Sequence, residues 1–338
     1  MKNPISVAGT SYPYAVTGLT ARASGALVAS EYVAVASLGT FGTENGQLNH
    51  PRAVSIDANG NLVVLDSANA RVQRLGPDGT FVSTFGRYGS VAGQLTAPTA
   101  LAIDTTGTIY VTDGGNAYVT QYDRFGAYQK QFGGFGPGRG YFTLPSGIAV
   151  AQDGSLFISD TNNTRLQVLD SEGKFVRQFG GLGSMAARLS APVGVAIGWD
   201  DLVYVTDRDA GCVQVYKQDG EYVRKIAAAA SGPGVMSKPR GIAVDRSGNV
   251  FVADSDNHRV LLFDPNGEPL AQIGGRGSGA GKLDSPADVT VDPNGVVYVA
   301  DCNNHRIQVF APSEHAAHGG LLSRLGSAAA SYLSRLKR

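Results

Sequence analysis

The sequence PRAVSIDANGNLVVLDSANARVQRLGPDGTFVSTFG, residues 51–86, is one copy of a unit that repeats along most of the chain. Its proline returns every 47 residues with no insertion or deletion, at Pro51, Pro98, Pro145, Pro192, Pro239 and Pro286. The aspartate that closes its second apolar run keeps the same spacing, at Asp66, Asp113, Asp160, Asp207, Asp254 and Asp301. A period of about 40–50 residues with several short β-type runs is typical of a ring of similar sheets.

Short apolar runs separated by turn residues predict four strands in each unit. In the first unit the runs are Val54–Asp57, Leu62–Leu65, Val72–Leu75 and Phe81–Phe85. The tetrapeptides DANG and GPDG, between the first two and the last two runs, predict tight antiparallel hairpins. These turns are too short to supply the many oxygen ligands of a calcium site.

The first strand of each unit alternates between branched apolar residues and small ones. The small set is Ala53/Ser55, Ala100/Ala102, Gly147/Ala149, Gly194/Ala196, Gly241/Ala243 and Asp288/Thr290. Small side chains suit strands that converge on an axis, so the first strand is expected to be innermost. The middle strands are apolar on both faces, as in sheets packed between other sheets. The predicted fold class is all-β, a six-bladed β-propeller with four-stranded antiparallel blades.

Four units carry the pattern D-x-x-N-x-R between their second and third strands. The residues are Asp66/Asn69/Arg71, Asp160/Asn163/Arg165, Asp254/Asn257/Arg259 and Asp301/Asn304/Arg306. We expect each aspartate and arginine to pair by charge-assisted hydrogen bonds. A ring of catalytic aspartates is the alternative, but a group repeated from blade to blade is better explained by a shared structural role.

The strings ADSDNHRVLLFDPNG (residues 253–267) and ADCNNHRIQVF (residues 300–310) resemble the NHL repeat. The resemblance covers about residues 38–311 and implies a six-bladed β-propeller. His258 and His305 are the histidines of the family's name. Other units have Ala70, Ala117, Thr164 and Gly211 in that position. We therefore expect the two histidines to be structural residues of their blades and not ligands.

The sixth unit ends after its third strand, so another segment must complete it. Residues 33–38 stand one period before the fourth strand of the first unit and are predicted to close the ring, which removes an exposed sheet edge. The predicted organisation is an N-terminal arm at 1–30, the propeller at 31–311, a linker at 312–320 and a helix at 321–338.

Charge and composition narrow the classes of function. Lysine plus arginine and aspartate plus glutamate both number 28, so no net field attracts DNA, RNA or a membrane. The two cysteines, Cys212 and Cys302, fit neither a disulfide framework nor a metal pair. With no signal-peptide pattern and no long apolar stretch, a soluble cytoplasmic protein is predicted.

The linking loops and the D-x-x-N-x-R loops share one face of the predicted ring, here called the upper face. Its loops are rich in arginine, whereas the tight turns of the lower face are rich in aspartate. The predicted partner-binding residues there are Arg52, Arg87, Tyr88, Arg139, Tyr141, Arg240 and Arg276. An acidic protein segment is the favoured ligand, and DNA is not expected. Some NHL propellers bind single-stranded RNA on this face, so the resemblance keeps RNA as an alternative.

Catalysis is not expected from the residues that line the predicted axis. Propeller relatives with lyase or lactonase activity hold a metal there with several histidines or carboxylates. Here the small residues of the first strands are interrupted only by Asp288 and Thr290, and His50 is the one histidine near the top. A single carboxylate supplies neither a metal site nor an acid and base pair. We therefore predict no enzyme activity, no cofactor and no metal, with a metal-dependent lyase or lactonase as the less favoured alternative.

The C-terminal residues predict an amphipathic basic helix. Leu321, Leu325, Tyr332 and Leu336 recur at helical spacing among four basic residues. Three docking sites stay open for this helix: a groove of a partner protein, the parent propeller and a membrane surface. The favoured function is a non-catalytic scaffold that joins a larger assembly through its upper face and its terminal segments. The fourth unit differs most from the others, and its Trp199 is expected to be exposed on a turn.

Overall fold

A computed structural model describes residues 32–181, 187–227, 232 and 234–313. In these residues the strands form six sheets, each of four antiparallel strands, which confirms the six-bladed propeller. The predicted arm at 1–30 and the predicted helix at 321–338, with Leu321, Leu325, Tyr332 and Leu336, lie outside the described residues. No helix in the described ranges has the length and apolar character needed to cross a bilayer.

The strands are numbered in chain order. β1 (Tyr32–Leu38) belongs to the last blade. Blade 1 contains β2 (Pro51–Ile56), β3 (Leu62–Asp66), β4 (Arg71–Leu75) and β5 (Phe81–Phe85). Blade 2 contains β6 (Pro98–Ile103), β7 (Ile109–Asp113), β8 (Tyr118–Tyr122) and β9 (Tyr128–Gly133). Blade 3 contains β10 (Pro145–Val150), β11 (Leu156–Asp160), β12 (Arg165–Leu169) and β13 (Phe175–Phe179).

The remaining blades repeat the same plan. Blade 4 contains β14 (Pro192–Ile197), β15 (Val203–Asp207), β16 (Cys212–Tyr216) and β17 (Tyr222–Ile226). Blade 5 contains β18 (Pro239–Val244), β19 (Val250–Asp254), β20 (Arg259–Phe263) and β21 (Pro269–Gly274). Blade 6 contains β22 (Pro286–Val291), β23 (Val297–Asp301) and β24 (Arg306–Pro312), followed in space by β1. Short 3-10 turns occupy Ser67–Asn69, Thr161–Asn163, Ser255–Asn257 and Cys302–Asn304.

Ring closure joins the two ends of the described chain. β1 pairs antiparallel with β24, from Tyr32 opposite Pro312 to Leu38 opposite Ile307. The sheet order is therefore β1-β24-β23-β22. Because β1 occupies the outer position of blade 6, the third strand of that blade is not left as an exposed edge.

The core lies between neighbouring sheets. The second strand of every blade is buried along its whole length, as its unbroken apolar character predicts. The cluster at the closure combines Val35 and Leu38 of β1 with Val54 and Val64 of blade 1. Each blade thus buries both faces against its neighbours, which is why one blade alone has no complete core.

Candidate functional site

A buried aspartate closes the second strand of each blade at the upper face. Asp66 is fully buried, and its Oδ1 accepts a hydrogen bond from the Asn49 amide at 2.6 Å. Its Oδ2 accepts from Arg71 Nε at 2.7 Å, Asn69 Nδ2 at 2.9 Å and Gln73 Nε2 at 3.1 Å. The same aspartate–arginine pair forms in blades 3, 5 and 6 at 2.7–2.8 Å. The expected pairing is confirmed, and the carboxylate ties the incoming loop to its blade.

Blades 2 and 4 keep the aspartate without the arginine, whose place is taken by Tyr118 and Cys212. Backbone amides replace the missing donor. In blade 2 the Asp113 carboxylate accepts from the amides of Thr96, Ala97 and Gly115. These carboxylates are occupied by structural donors in every blade, so they do not form a free catalytic ring.

The two NHL histidines connect neighbouring blades. His305 Nδ1 accepts a hydrogen bond from the His50 amide at 3.1 Å, and His258 Nδ1 accepts from the Ser285 amide at 3.1 Å. An accepting Nδ1 requires a proton on Nε2 in the neutral ring. The ring of His305 also packs 4.7 Å from Phe41 and 4.4 Å from His50, centroid to centroid. Burial, and then the neighbouring His50, lower the pKa of His305. These contacts give the histidines the structural role expected of them.

The innermost strands approach one another closely at the hub. A Cβ on Gly147 would overlap the carbonyl oxygen of Val193, and a Cβ on Gly194 would overlap that of Arg240. The neighbouring backbone explains why glycine and alanine recur there. In blades 3 and 4 the glycine amides donate to Ser159 Oγ and Thr206 Oγ1 at 2.6 and 2.7 Å. Those hydroxyls donate in turn to the next blade's carbonyls.

One carboxyl group interrupts the small residues of the hub. The backbone amide of Val54 in blade 1 donates to Asp288 Oδ2 at 3.1 Å. Burial raises the pKa of Asp288 to about 7, against the opposing effect of hydrogen bonds from Val54 and Val289. Asp288 spans the contact between the last and the first blade.

Exposed aromatic side chains stand at one repeated position of the linking loops. Phe41, Tyr88 and Phe135 are spaced by 47 residues and are 66, 73 and 80% exposed. Each forms an isolated backbone bridge inside its own loop, to Leu48, Leu95 and Phe142. Arg276 occupies the same position in the loop into blade 6 and is bridged to Leu283. We call Arg276, Phe41, Tyr88 and Phe135 the rim arc, which runs over blades 6, 1, 2 and 3.

A known protein family matches five of the six blades. The family model described as NHL repeat matches residues 48–75, 142–169, 189–216, 236–263 and 283–310. The chain belongs to the NHL-repeat family. The matched segments run from the loop into a blade through its first two strands and into its third, in blades 1, 3, 4, 5 and 6. A search of the curated proteins found no similar sequence.

Solved structures share the fold of this NHL propeller at low sequence identity. A streptogramin B lyase has a TM-score of 0.58 at 14% identity, covering 81% of this chain and 96% of its own. A gluconolactonase from Xanthomonas campestris has a TM-score of 0.60 at 18% identity, covering 83 and 89%. A protein of unknown function from Bacteroides thetaiotaomicron has a TM-score of 0.63 at 16% identity, covering 83 and 75%. At these identities the likeness shows the fold alone.

The predicted partner-binding residues of the NHL propeller fall into two groups. Arg52 and Arg240 are the second residues of β2 and β18, at the upper mouth of the hub. The other five are exposed on the linking loops that precede the innermost strands of blades 2, 3 and 6. They are Arg87, Tyr88, Arg139, Tyr141 and Arg276. Within the second group Arg139 lies over the Phe175 ring, 5.4 Å from its centroid, and Tyr141 packs across Gly134. The structure therefore separates a hub pair from a set of rim residues.

The predicted partner-binding residues include neither Phe41 and Phe135 nor the buried glutamines of the third strands. Gln73 reaches the Gln47 carbonyl at 2.6 Å, and Gln167 reaches the Tyr141 carbonyl at 2.7 Å, so both fix the linking loops that carry the rim. Alignment of the units at 47 residues would have found both sets. Trp199 is 63% exposed on a lower turn, as expected, with Arg246 5.1 Å above its ring.

Proposed function

We propose that this NHL propeller is a non-catalytic recognition platform that binds an acidic segment of a partner protein on its upper face. The observation that carries the proposal is the rim arc, in which three large aromatic side chains are exposed at equivalent places on consecutive loops. Aromatic residues and arginine are the residue types enriched at protein interfaces.

The arc is supported by a rigid backbone. The bridges to Leu48, Leu95 and Phe142 hold each aromatic residue at a fixed place. The glycine that follows it, such as Gly42 or Gly89, has a φ of about 150° that side chains rarely adopt. Preorganised side chains lose little entropy when a partner binds. The nearby guanidinium groups of Arg87, Arg139 and Arg276 favour a partner with negative charge.

A non-catalytic role is inferred from the chemistry of the hub. The proteins of similar structure include ones named as a lyase and a gluconolactonase. In this chain the hub positions are glycine, alanine and serine apart from Asp288 and Thr290, and Asp288 is engaged by the Val54 amide. Buried free thiols at Cys212 and Cys302 are compatible with a reducing compartment, and the cytoplasm is part of the proposal.

Single-stranded RNA is the second candidate ligand, and the rim arc is again the reason. Bases stack on exposed aromatic rings, and neighbouring arginines contact phosphates. The two candidates predict different responses to salt. Binding to RNA weakens steeply as salt rises because counterions are released from the phosphates. Docking of a protein segment on aromatic residues depends less on salt.

The proposal is tested with the variant Phe41→Ser/Tyr88→Ser/Phe135→Ser. A fluorescent peptide rich in glutamate with two aromatic residues, and a mixed-sequence 12-nucleotide RNA, are titrated at low and physiological salt. We expect the peptide to bind the wild type and the triple variant to lose at least about tenfold in affinity. The control is Phe125→Ser, which removes an exposed aromatic residue, 71% exposed, from a lower turn.

Three results would contradict the proposal. Equal loss in the Phe125→Ser control would show a nonspecific effect. RNA binding with a steep salt dependence and no peptide binding would establish the second candidate. Turnover by the purified protein of a lactone or a streptogramin would establish an enzyme. Attachment through the predicted helix at 321–338, to a partner, its own propeller or a membrane, remains part of the proposed scaffold role.

A further inference from the structure

Two arginines at the upper mouth of the hub lack an ion-pair partner within the described part of the chain. In the described residues, neither the Arg52 nor the Arg240 side chain forms an ion pair or donates a hydrogen bond. They occupy the second position of β2 and β18, and the residue at that position in the intervening blade is Ala287. The short alanine leaves the space between the two guanidinium groups without a bulky side chain.

Two of the carboxylates near this mouth are already paired with other cations. Asp209 accepts from Arg208 at 2.9 Å, and Asp256 lies 3.5 Å from Lys238. Among the described residues, Asp284 is not paired with a cation: its Oδ1 accepts from Asn303 Nδ2 at 3.2 Å, and His258 Nδ1, 3.3 Å away, is occupied as an acceptor of the Ser285 amide. Asp288 lies deeper in the hub, where the Val54 amide binds it. The two arginines therefore form a local excess of positive charge.

The arginines are close enough to affect each other and one thiol. Burial, and then Arg52, lower the pKa of Arg240. Burial raises the pKa of Cys302, while Arg52 and Arg240 both act in the opposite direction. A partly buried guanidinium beside a like charge is costly unless an anion binds there.

The two arginines lie at irregular positions of their innermost strands. In blade 1 the pairing shifts register between Pro51 and Ala53, and in blade 5 it shifts between Pro239 and Ile242. Arg52 and Arg240 lie within these bulges. The innermost strands of the other four blades shift register after the same proline, so the bulge is common to all blades and the arginines are what distinguish blades 1 and 5.

The opposite side of the mouth is neutral. The equivalent residues in blades 2, 3 and 4 are Thr99, Ser146 and Val193. Thr99 Oγ1 donates to the Pro145 carbonyl, and Ser146 Oγ donates to the Leu144 carbonyl, so both hydroxyls are engaged by the hub itself. At this strand position, charged residues therefore occur only in blades 5 and 1.

We propose that Arg52 and Arg240 form an anion subsite at the hub that binds one carboxylate of an acidic partner segment. The subsite rests on the proposed function, because the rim arc holds the rest of the segment. Guanidinium groups suit a carboxylate because they donate parallel hydrogen bonds to its two oxygens. The hub pair thereby sets which residue of the segment must be acidic.

The test compares three variants of the full chain: Arg52→Gln, Arg240→Gln and, as the control, Arg124→Gln, which removes an exposed arginine from a lower turn. The probes are acetyl-tetraglutamate and inorganic phosphate, titrated by isothermal calorimetry, with circular dichroism to verify folding. For tetraglutamate we expect each hub variant to lose about tenfold in affinity and the lower-turn control to lose less than about threefold. Without a probe, Arg52→Gln should raise the melting temperature because it removes a repulsion.

The possible outcomes separate this subsite from the proposed function. Wild-type affinity for tetraglutamate in both hub variants overturns the subsite, while the rim peptide assay still decides the proposed function. Binding of phosphate without tetraglutamate overturns the assignment of a carboxylate. A lower melting temperature in folded Arg52→Gln indicates a structural role for Arg52 and also overturns it. Hub-dependent binding of tetraglutamate, lost in both hub variants, supports it.

Discussion

The two halves of the hub connect neighbouring blades through different chemical groups. In blades 2, 3 and 4 the second strands carry Thr112, Ser159 and Thr206, whose hydroxyls bind the innermost backbone. In blades 5, 6 and 1 the equivalent residues are Ala253, Ala300 and Leu65, and Asp288 makes the contact to Val54. The neutral half is saturated by its own hydrogen bonds. The charged half keeps ionisable groups available, so recognition and response to pH are expected there.

The neutral half should tolerate added volume worst. Gly147→Ala places a Cβ against the Val193 carbonyl of the next blade. We expect it to lower the free energy of unfolding by about 2–4 kcal/mol, because backbone rather than a flexible side chain must move. Urea denaturation measures the loss. The control is Ala53→Gly at the equivalent position of the charged half, which should cost about 1 kcal/mol.

The carboxyl group of Asp288, in the charged half, should make the stability of the protein depend on pH. The folded pKa of Asp288, about 7, lies above its ordinary value of 3.8, so the folded chain holds the proton more tightly than the unfolded chain. The associated stabilisation is complete below about pH 4 and is lost as the pH rises to about 7. Asp288→Asn keeps an acceptor for the Val54 amide without a charge. We expect the variant to match the wild type near pH 4.

At pH 8 the same variant should be more stable than the wild type by about 1–3 kcal/mol. Urea denaturation at the two pH values gives the difference. Asp288→Ala is the control because it also removes the charge but leaves the Val54 amide without its acceptor. A difference between Asp288→Asn and the wild type that does not grow with pH would contradict the shifted pKa.

Removing a hydroxyl hydrogen bond from the neutral half should lower the free energy of unfolding less than adding a methyl group there. Thr206 Oγ1 accepts from the Gly194 amide at 2.7 Å and donates to the Arg240 carbonyl. Thr206→Val keeps the shape and removes both bonds. We expect a loss of about 1–2 kcal/mol in the free energy of unfolding, because buried backbone groups lose their partners. Thr206→Ser retains the hydroxyl and should lose less. Equal losses in the two variants would show that the methyl group, not the hydrogen bonds, matters.

The smallest effect is expected at the histidine that joins blade 6 to blade 1. The lowered pKa of His305 means that the folded chain binds its proton less tightly than the unfolded chain. Its contribution is therefore present above about pH 6.5 and is lost as the pH falls through that value. His305→Ala should cost about 1 kcal/mol at pH 8 and less at pH 5.

The backbone of that position accommodates alanine, since Ala70 has the same left-handed conformation in blade 1, with φ of 51° against 53° for His305. A loss in His305→Ala therefore reports the side chain and not strain. Thermal unfolding at the two pH values measures it. A larger loss at pH 5 than at pH 8 would contradict the direction of the pKa shift.

The fold follows from the period of 47 residues because each unit contains the whole plan of a blade. The aspartate–arginine pairs were predictable for the same reason: both residues lie on one hairpin, five positions apart. Contacts between blades were harder to predict. The Ser159 hydroxyl bonds to the Val193 carbonyl, 34 residues away, and nothing in either unit alone indicates this contact.

The two parts of the candidate site also differ in how far the sequence predicts them. The rim arc is visible in the sequence once the units are aligned, since Phe41, Tyr88 and Phe135 share one column. The hub pair is different. Arg52 and Arg240 are separated by 188 residues and become neighbours only because blade 6 places Ala287 between them. Their lack of a partner depends on side-chain pairing around the mouth, which the order of residues does not determine.

The shared sixth sheet imposes an order on assembly. β1 is synthesised before any blade, yet its partner β24 ends 280 residues later, with Tyr32 opposite Pro312. During synthesis the first five blades therefore exist as an open arc, with β1 unpaired and one flank of blade 1 without its neighbour. Any chain interrupted before residue 306 would retain both open flanks and be prone to self-association. Only a chain that extends through β24 can cover them, so closure of the ring requires the residues of the last blade.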